Sequence, residues 1–121
     1  MQIIPTKIHG AIDYIVGIIL IAAPFLLGFA DGTAAQWVPI LMGVATIAQS
    51  LLTRYELGVV PVIPMPVHLG IDVLVGLILA ASPWMFGFAD RVYLPHLFFG
   101  VLSLIVVALS QRRPAHAPHT L

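Results

Sequence analysis

Shifting the chain by 59 positions lays residues 3–31, IIPTKIHGAIDYIVGIILIAAPFLLGFAD, on residues 62–90, VIPMPVHLGIDVLVGLILAASPWMFGFAD, with 15 of 29 positions identical. The identities include Pro5 and Pro64, His9 and His68, Asp13 and Asp72, Gly17 and Gly76, Pro24 and Pro83, and Gly28 and Gly87. Such a duplication means that one supersecondary unit was copied, so the two copies face the same packing problem and must solve it together. Both copies also carry a proline inside a long apolar run, where proline disturbs a helix. The segments after the two copies match more loosely: Pro39 and Gly43 fall near Pro95 and Gly100 once a small length difference is allowed.

The solvent for these units is set by composition. Sixty percent of the residues are hydrophobic and 8% charged, against roughly 45–50% and about 25% in an ordinary soluble domain. Four almost uncharged stretches, residues 8–30, 34–53, 67–89 and 92–110, each approach the ~20 residues that cross a hydrocarbon core of about 30 Å as a helix. Lipid offers the backbone no hydrogen-bond partner, and no period-2 alternation suggests a barrel. The expected fold is therefore all-α, a bundle of four transmembrane helices in contact with the lipid bilayer. Zero net charge and no basic cluster before the tail exclude nucleic acid as a partner. The first stretch carries Asp13 and is duplicated in mid-chain, so it is expected to remain in the mature protein rather than act as a signal peptide. Without cysteine, disulfides and thiolate metal sites are excluded.

Two helices per repeat is an even number, so the second unit enters from the same side as the first. The units are expected as parallel repeats, two antiparallel hairpins related by a pseudo-two-fold axis along the membrane normal. Residues 1–54 form the first hairpin, 55–66 a proline-rich linker, 67–110 the second hairpin, and 111–121 a disordered cytoplasmic tail. Lys7, Arg54, Arg112 and Arg113 share the side of the termini and linker, and only Arg91 lies on the hairpin side. The positive-inside bias then places both termini in the cytoplasm. Trp37, Trp84 and Tyr93 fall toward the outer interface, as does His96.

At Ser82, Pro83 and Trp84, followed by Gly87 and Phe88, the paired hairpins resemble the SPW repeat family of small bacterial membrane proteins. The similarity covers residues 3 to about 110. It implies a multi-pass protein of the bacterial cytoplasmic membrane built from hairpins, and implies no particular reaction. The first unit has Ala23 and Phe25 where the motif has serine and tryptophan, so any role specific to those side chains exists once.

At 100° per residue, His9, Asp13, Gly17, Leu20, Pro24 and Gly28 share one helical face, and His68, Asp72, Gly76, Leu79, Pro83 and Gly87 repeat it. That stripe is expected to face the bundle interior, with prolines and glycines setting kink and close packing. Pro24 and Pro83 free the carbonyls of Leu20 and Leu79, and Ser82 is placed to cover the second.

His9 and Asp13, like His68 and Asp72, stand one turn apart on this face. Ionisable residues inside a membrane face inward and find partners. Parallel units would bring all four to one depth. The cluster can be a structural polar network fixing register. It can ligate Zn, Fe or Mn through imidazole and carboxylate. His9 and His68 can be axial ligands of a haem, or the set can relay protons. Gln49 and Ser50 are candidates for hydrogen bonds across helices. His116 and His119 in the tail are weak chelators. No nucleophile stands beside a base and no glycine-rich phosphate loop is present, which argues against an enzyme. The chain reads as a structural or accessory membrane protein, self-associating through small-residue faces or serving a membrane partner. A metal- or haem-binding protein is the alternative, and proton or ion transport a third.

Overall fold

The computed structural model describes residues 2–114, so the histidines at 116 and 119 lie outside the described residues. The described chain is helical: α1 (Thr6–Leu26), α2 (Ala34–Leu51), α3 (Met65–Met85) and α4 (Leu94–Leu109). No strand is present among the described residues, only two isolated bridges. α1, α2 and α3 are each long and apolar enough to cross a membrane, whereas α4 has 16 residues. At 1.5 Å per residue α4 spans about 24 Å, so the four expected spans become three of full length and one shorter helix. α4 starts two residues later than expected because the turn after Asp90 continues through Val92, and Pro95 stands at the head of the helix.

α1 and α3 begin directly after Pro5 and Pro64, whose extended backbone sets the entry. α2 is started by Thr33, whose hydroxyl accepts from the Ala35 amide. The ends of α1 and α3 differ from the sequence expectation. Gly28 and Gly87 adopt φ of 79° and 73°, with the next amide reaching back to the carbonyls of Pro24 and Pro83. This is the left-handed glycine cap of a helix. An added Cβ at either glycine would meet nothing within 4 Å, so these two stop their helices and do not pack, and the helices end at Leu26 and Met85.

The other glycines of the stripe do pack. A Cβ at Gly43 would stand 2.6 Å from the Gly17 carbonyl oxygen, and one at Gly100 would stand 2.5 Å from the Ala80 nitrogen. Gly17 also meets Ile47 while Gly43 meets Ile21, and Gly76 meets Leu104 while Gly100 meets Ala80. Within each pair the partners run in opposite directions along the two helices. These small-residue faces are filled from within the chain, so they are not the free surfaces that self-association through them requires. Ser82 donates its hydroxyl to the Leu79 carbonyl at 2.8 Å, and Pro24, Ser82 and Pro83 are buried. Trp84 is 56% exposed and leans on Tyr93, ring centroids 5.8 Å apart.

One end of the bundle is closed by short segments that cross over. Ile4 pairs with Ser110 and Ile63 with Thr53, so the segment before α1 joins the end of α4, and the segment before α3 joins the end of α2. Gln111 and Arg112, expected in the disordered tail, are held here: the Gln111 amide donates to the Ile4 carbonyl and the Arg112 guanidinium donates to the Val107 and Ser110 carbonyls. Over the same end lies Tyr55, fully buried and pressed against Gly10, where a Cβ would meet its ring at 2.4 Å. Burial pushes the Tyr55 phenol well above its ordinary value. The Thr6 hydroxyl donates to Glu56 at 2.7 Å and Tyr14 donates to the Leu57 carbonyl at 2.9 Å.

At the opposite end, Arg91 pairs with Asp31 rather than with its neighbour Asp90. The Thr33 hydroxyl and amide, followed by Arg91, hold the Asp31 carboxyl below the usual carboxylate range. At this end His96 is buried. It donates to the Ala35 carbonyl at 2.9 Å and packs against Phe88 and Phe29, with ring centroids 4.8 and 5.2 Å away.

Candidate functional site

His9, Asp13, His68 and Asp72 converge beneath that closed end. All four are buried, and one donor atom from each lies within 4.8 Å of the others. His9 Nε2 is 2.8 Å from Asp72 Oδ2 and 3.1 Å from Asp13 Oδ2. His68 Nε2 is 2.8 Å from Asp13 Oδ2 and 3.1 Å from Asp72 Oδ2. The shorter contact of each imidazole is thus to the carboxylate of the other helix, not to the one a turn away on its own. The two rings meet edge to face, 5.4 Å between centroids and 74° between planes.

The outer nitrogen of each ring decides what the inner one carries. His9 Nδ1 is 2.6 Å from Ser110 Oγ, and Ser110 Oγ donates its hydrogen to the Val106 carbonyl at 2.5 Å. His68 Nδ1 is 2.7 Å from Thr53 Oγ1, which donates to the Gln49 carbonyl at 2.6 Å. A hydroxyl has one hydrogen, so both hydroxyls must accept from the imidazoles, and both Nδ1 atoms are N–H donors. The hydrogen-bond network therefore assigns the tautomer. Each Nε2 then faces two carboxylate oxygens. Nitrogen and oxygen lone pairs cannot face each other at 2.8 Å unless a proton or a cation lies between them. With one proton in each short contact, whether on nitrogen or on oxygen, two neutral imidazoles, two carboxylates and two protons sum to zero charge.

One asymmetry remains. Gln49 Nε2 donates to Asp72 Oδ1, and Gln49 Oε1 is buried without a partner. Asp13 instead borders a cavity of about 20 Å³ lined also by Thr46, Ser103 and Val106, room for about one water. The residues do not fit a haem. The space between the two Nε2 atoms, where the macrocycle would lie, holds the Asp13 and Asp72 oxygens.

Of the residues expected at a site, His9, Asp13, His68 and Asp72 come together. Gly17, Pro24, Gly76, Ser82 and Pro83 lie on the same helices farther along, Gly28 and Gly87 end those helices, and Trp84 stays outside. Gln49 joins the cluster as an expected cross-helix donor, while Ser50 Oγ is buried without a partner. Sequence reading missed Thr53 and Ser110. The signal was available: Gly43 and Gly100 differ by 57 positions, and the same offset sets Thr53 on Ser110 and Thr46 on Ser103.

A family model described as the SPW repeat domain matches residues 7–110, which takes in all four helices but for the first residue of α1, and the whole cluster. No curated protein and no solved structure matches the chain.

Proposed function

The chain belongs to the SPW repeat family, and from that premise and the geometry of the cluster we propose that it is a structural or accessory protein of the bacterial cytoplasmic membrane, made of two parallel hairpins interlocked by a buried His/Asp quartet. The apolar helices and the family fit a small membrane protein. Contacts within α1–α2 and α3–α4 support hairpins, and corresponding residues at corresponding depth support a parallel repeat. The units are 1–54 and 67–110, both termini cytoplasmic, joined by the linker 55–66.

The observation that carries the interlock is the crossing of the quartet. His9 reaches Asp72 and Ser110 of the second unit, and His68 reaches Asp13 and Thr53 of the first. A network whose shorter contacts all run between the units selects one docking of the two hairpins, which glycine packing alone does not. Partners, whether a second copy or another membrane protein, would meet the outer apolar faces. Coexpressing residues 1–58 and 59–121 as separate chains tests the reading. The halves should co-purify from membranes in equal amounts and separate when His9 and His68 are both replaced by leucine. Halves that never associate, or that associate equally well without the histidines, would overturn it.

A further inference from the structure

We propose that the quartet is a binding site for one divalent first-row metal ion such as Zn²⁺, ligated by His9 Nε2, His68 Nε2, Asp13 Oδ2 and Asp72 Oδ2. The proposal rests on the interlock reading for the convergence of the four side chains and goes beyond it in naming their ligand. Two imidazole nitrogens and two carboxylate oxygens form a donor set suited to zinc and its neighbours. Both imidazoles turn the same nitrogen inward, held there by Nδ1–H donation to Ser110 and Thr53. Ligating histidines are characteristically fixed by a hydrogen bond from the other ring nitrogen, which sets tautomer and orientation.

Charge points the same way. The two protons that the short contacts require and one divalent cation are alternatives of equal charge, so the buried set is neutral in either form. Metal–ligand bonds of about 2.0–2.2 Å set tetrahedral donors roughly 3.3–3.6 Å apart. Of the six donor–donor separations, the four nitrogen–oxygen ones, now 2.8 and 3.1 Å, need to open by a few tenths of an ångström, and the nitrogen–nitrogen and oxygen–oxygen ones, within 4.8 Å, need to settle at the same length. A second, separate feature also points to a ligand. Gln49 is 6% exposed, its amide turns into the cluster, and its Oε1 has no partner. That oxygen can accept from a water drawn in with an ion, and the cavity beside Asp13 holds about one water on the other flank.

The test uses the full chain in detergent, stripped with chelator and titrated with Co²⁺ and then Zn²⁺. One Co²⁺ per chain should bind with the strong visible bands of a four-coordinate site, about two protons should leave per ion, and Zn²⁺ should bleach the bands. Replacing His9 and His68 with leucine should abolish them, whereas replacing His116 and His119 should not. Thr53→Val with Ser110→Ala keeps all four ligands, and should weaken binding about 10–100-fold while leaving one ion per chain. Absence of the cobalt bands in the stripped, folded chain overturns the proposal, as does binding that survives loss of His9 and His68. The interlock is read separately: a full chain that takes up no cobalt overturns the metal site, and halves that co-purify nonetheless leave the interlock standing.

Discussion

Removing the two partners of one short contact separately and together measures how tightly His9 of α1 is coupled to Asp72 of α3. In Asp72→Leu, His9 and His68 are left to share Asp13, and the buried Gln49 amide loses its acceptor. Breaking a buried ion pair from one side costs about 3–5 kcal/mol, and an orphaned buried donor about 1–3 kcal/mol. Because one proton can leave with the carboxylate and restore neutrality, the expected loss is about 4 kcal/mol. In His9→Leu, Asp72 keeps His68 and Gln49, and the Ser110 hydroxyl keeps its bond to Val106. That loss should be about 3 kcal/mol. The double replacement removes the pair as a unit and substitutes apolar volume, so it should cost about 4–5 kcal/mol rather than the sum, a coupling of about 2–3 kcal/mol. Reversible unfolding in mixed micelles, followed by circular dichroism in the presence of chelator, reads all four corners of the cycle. Additive losses within about 0.5 kcal/mol would refute the account of a proton-linked pair.

Packing and surface charge give further expectations. Gly43→Ala and Gly100→Ala drive a methyl to 2.6 Å from the Gly17 carbonyl oxygen and 2.5 Å from the Ala80 nitrogen, so each should lose about 1–3 kcal/mol in the same unfolding assay. Gly70→Ala meets nothing within 4 Å inside α3 and should gain up to about 1 kcal/mol, the helix preference of alanine over glycine. Asp31→Asn removes an exposed carboxylate whose folded-state affinity for protons is lowered by Thr33 and Arg91. A lowered value stabilises above the ordinary carboxylate range and is lost as pH falls through the folded-state value. The difference in Tm between the two proteins should therefore shrink on acidification, and shrink also in high salt.

The legibility of a feature in the chain divides by whether the repeat carries it. Apolar length, proline and the i,i+4 histidine and aspartate are periodic along one helix, so helix number, the inward stripe and the four cluster residues were legible. The C-caps at Gly28 and Gly87 were not, because a glycine on the stripe at helical spacing reads as packing until its φ is known. The burial of His96 was hidden for a related reason: the aromatic cage of Phe29 and Phe88 around it comes from two different turns. The hydroxyls of Thr53 and Ser110 sit at the ends of helices whose resemblance is faint. Only the offset of 57 positions, distinct from the 59 of the first helices, brings them into register.

That change of offset also accounts for the unequal halves of the site. Thr53 corresponds to Ser110 and Thr46 to Ser103, but Gln49 corresponds to Val106. A symmetric quartet needs the first equivalence, since Thr53 and Ser110 each hold the outer nitrogen of one imidazole. It does not need the third. Gln49 closes Asp72 with an amide, whereas Val106 offers Asp13 only a methyl-lined wall beside a water-sized space. The duplicated parts therefore fix where the four side chains meet, and one unmatched residue decides which carboxylate keeps an open side. Exchange of a proton, a water or an ion with the quartet should run past Asp13, the one carboxylate whose second oxygen no glutamine covers.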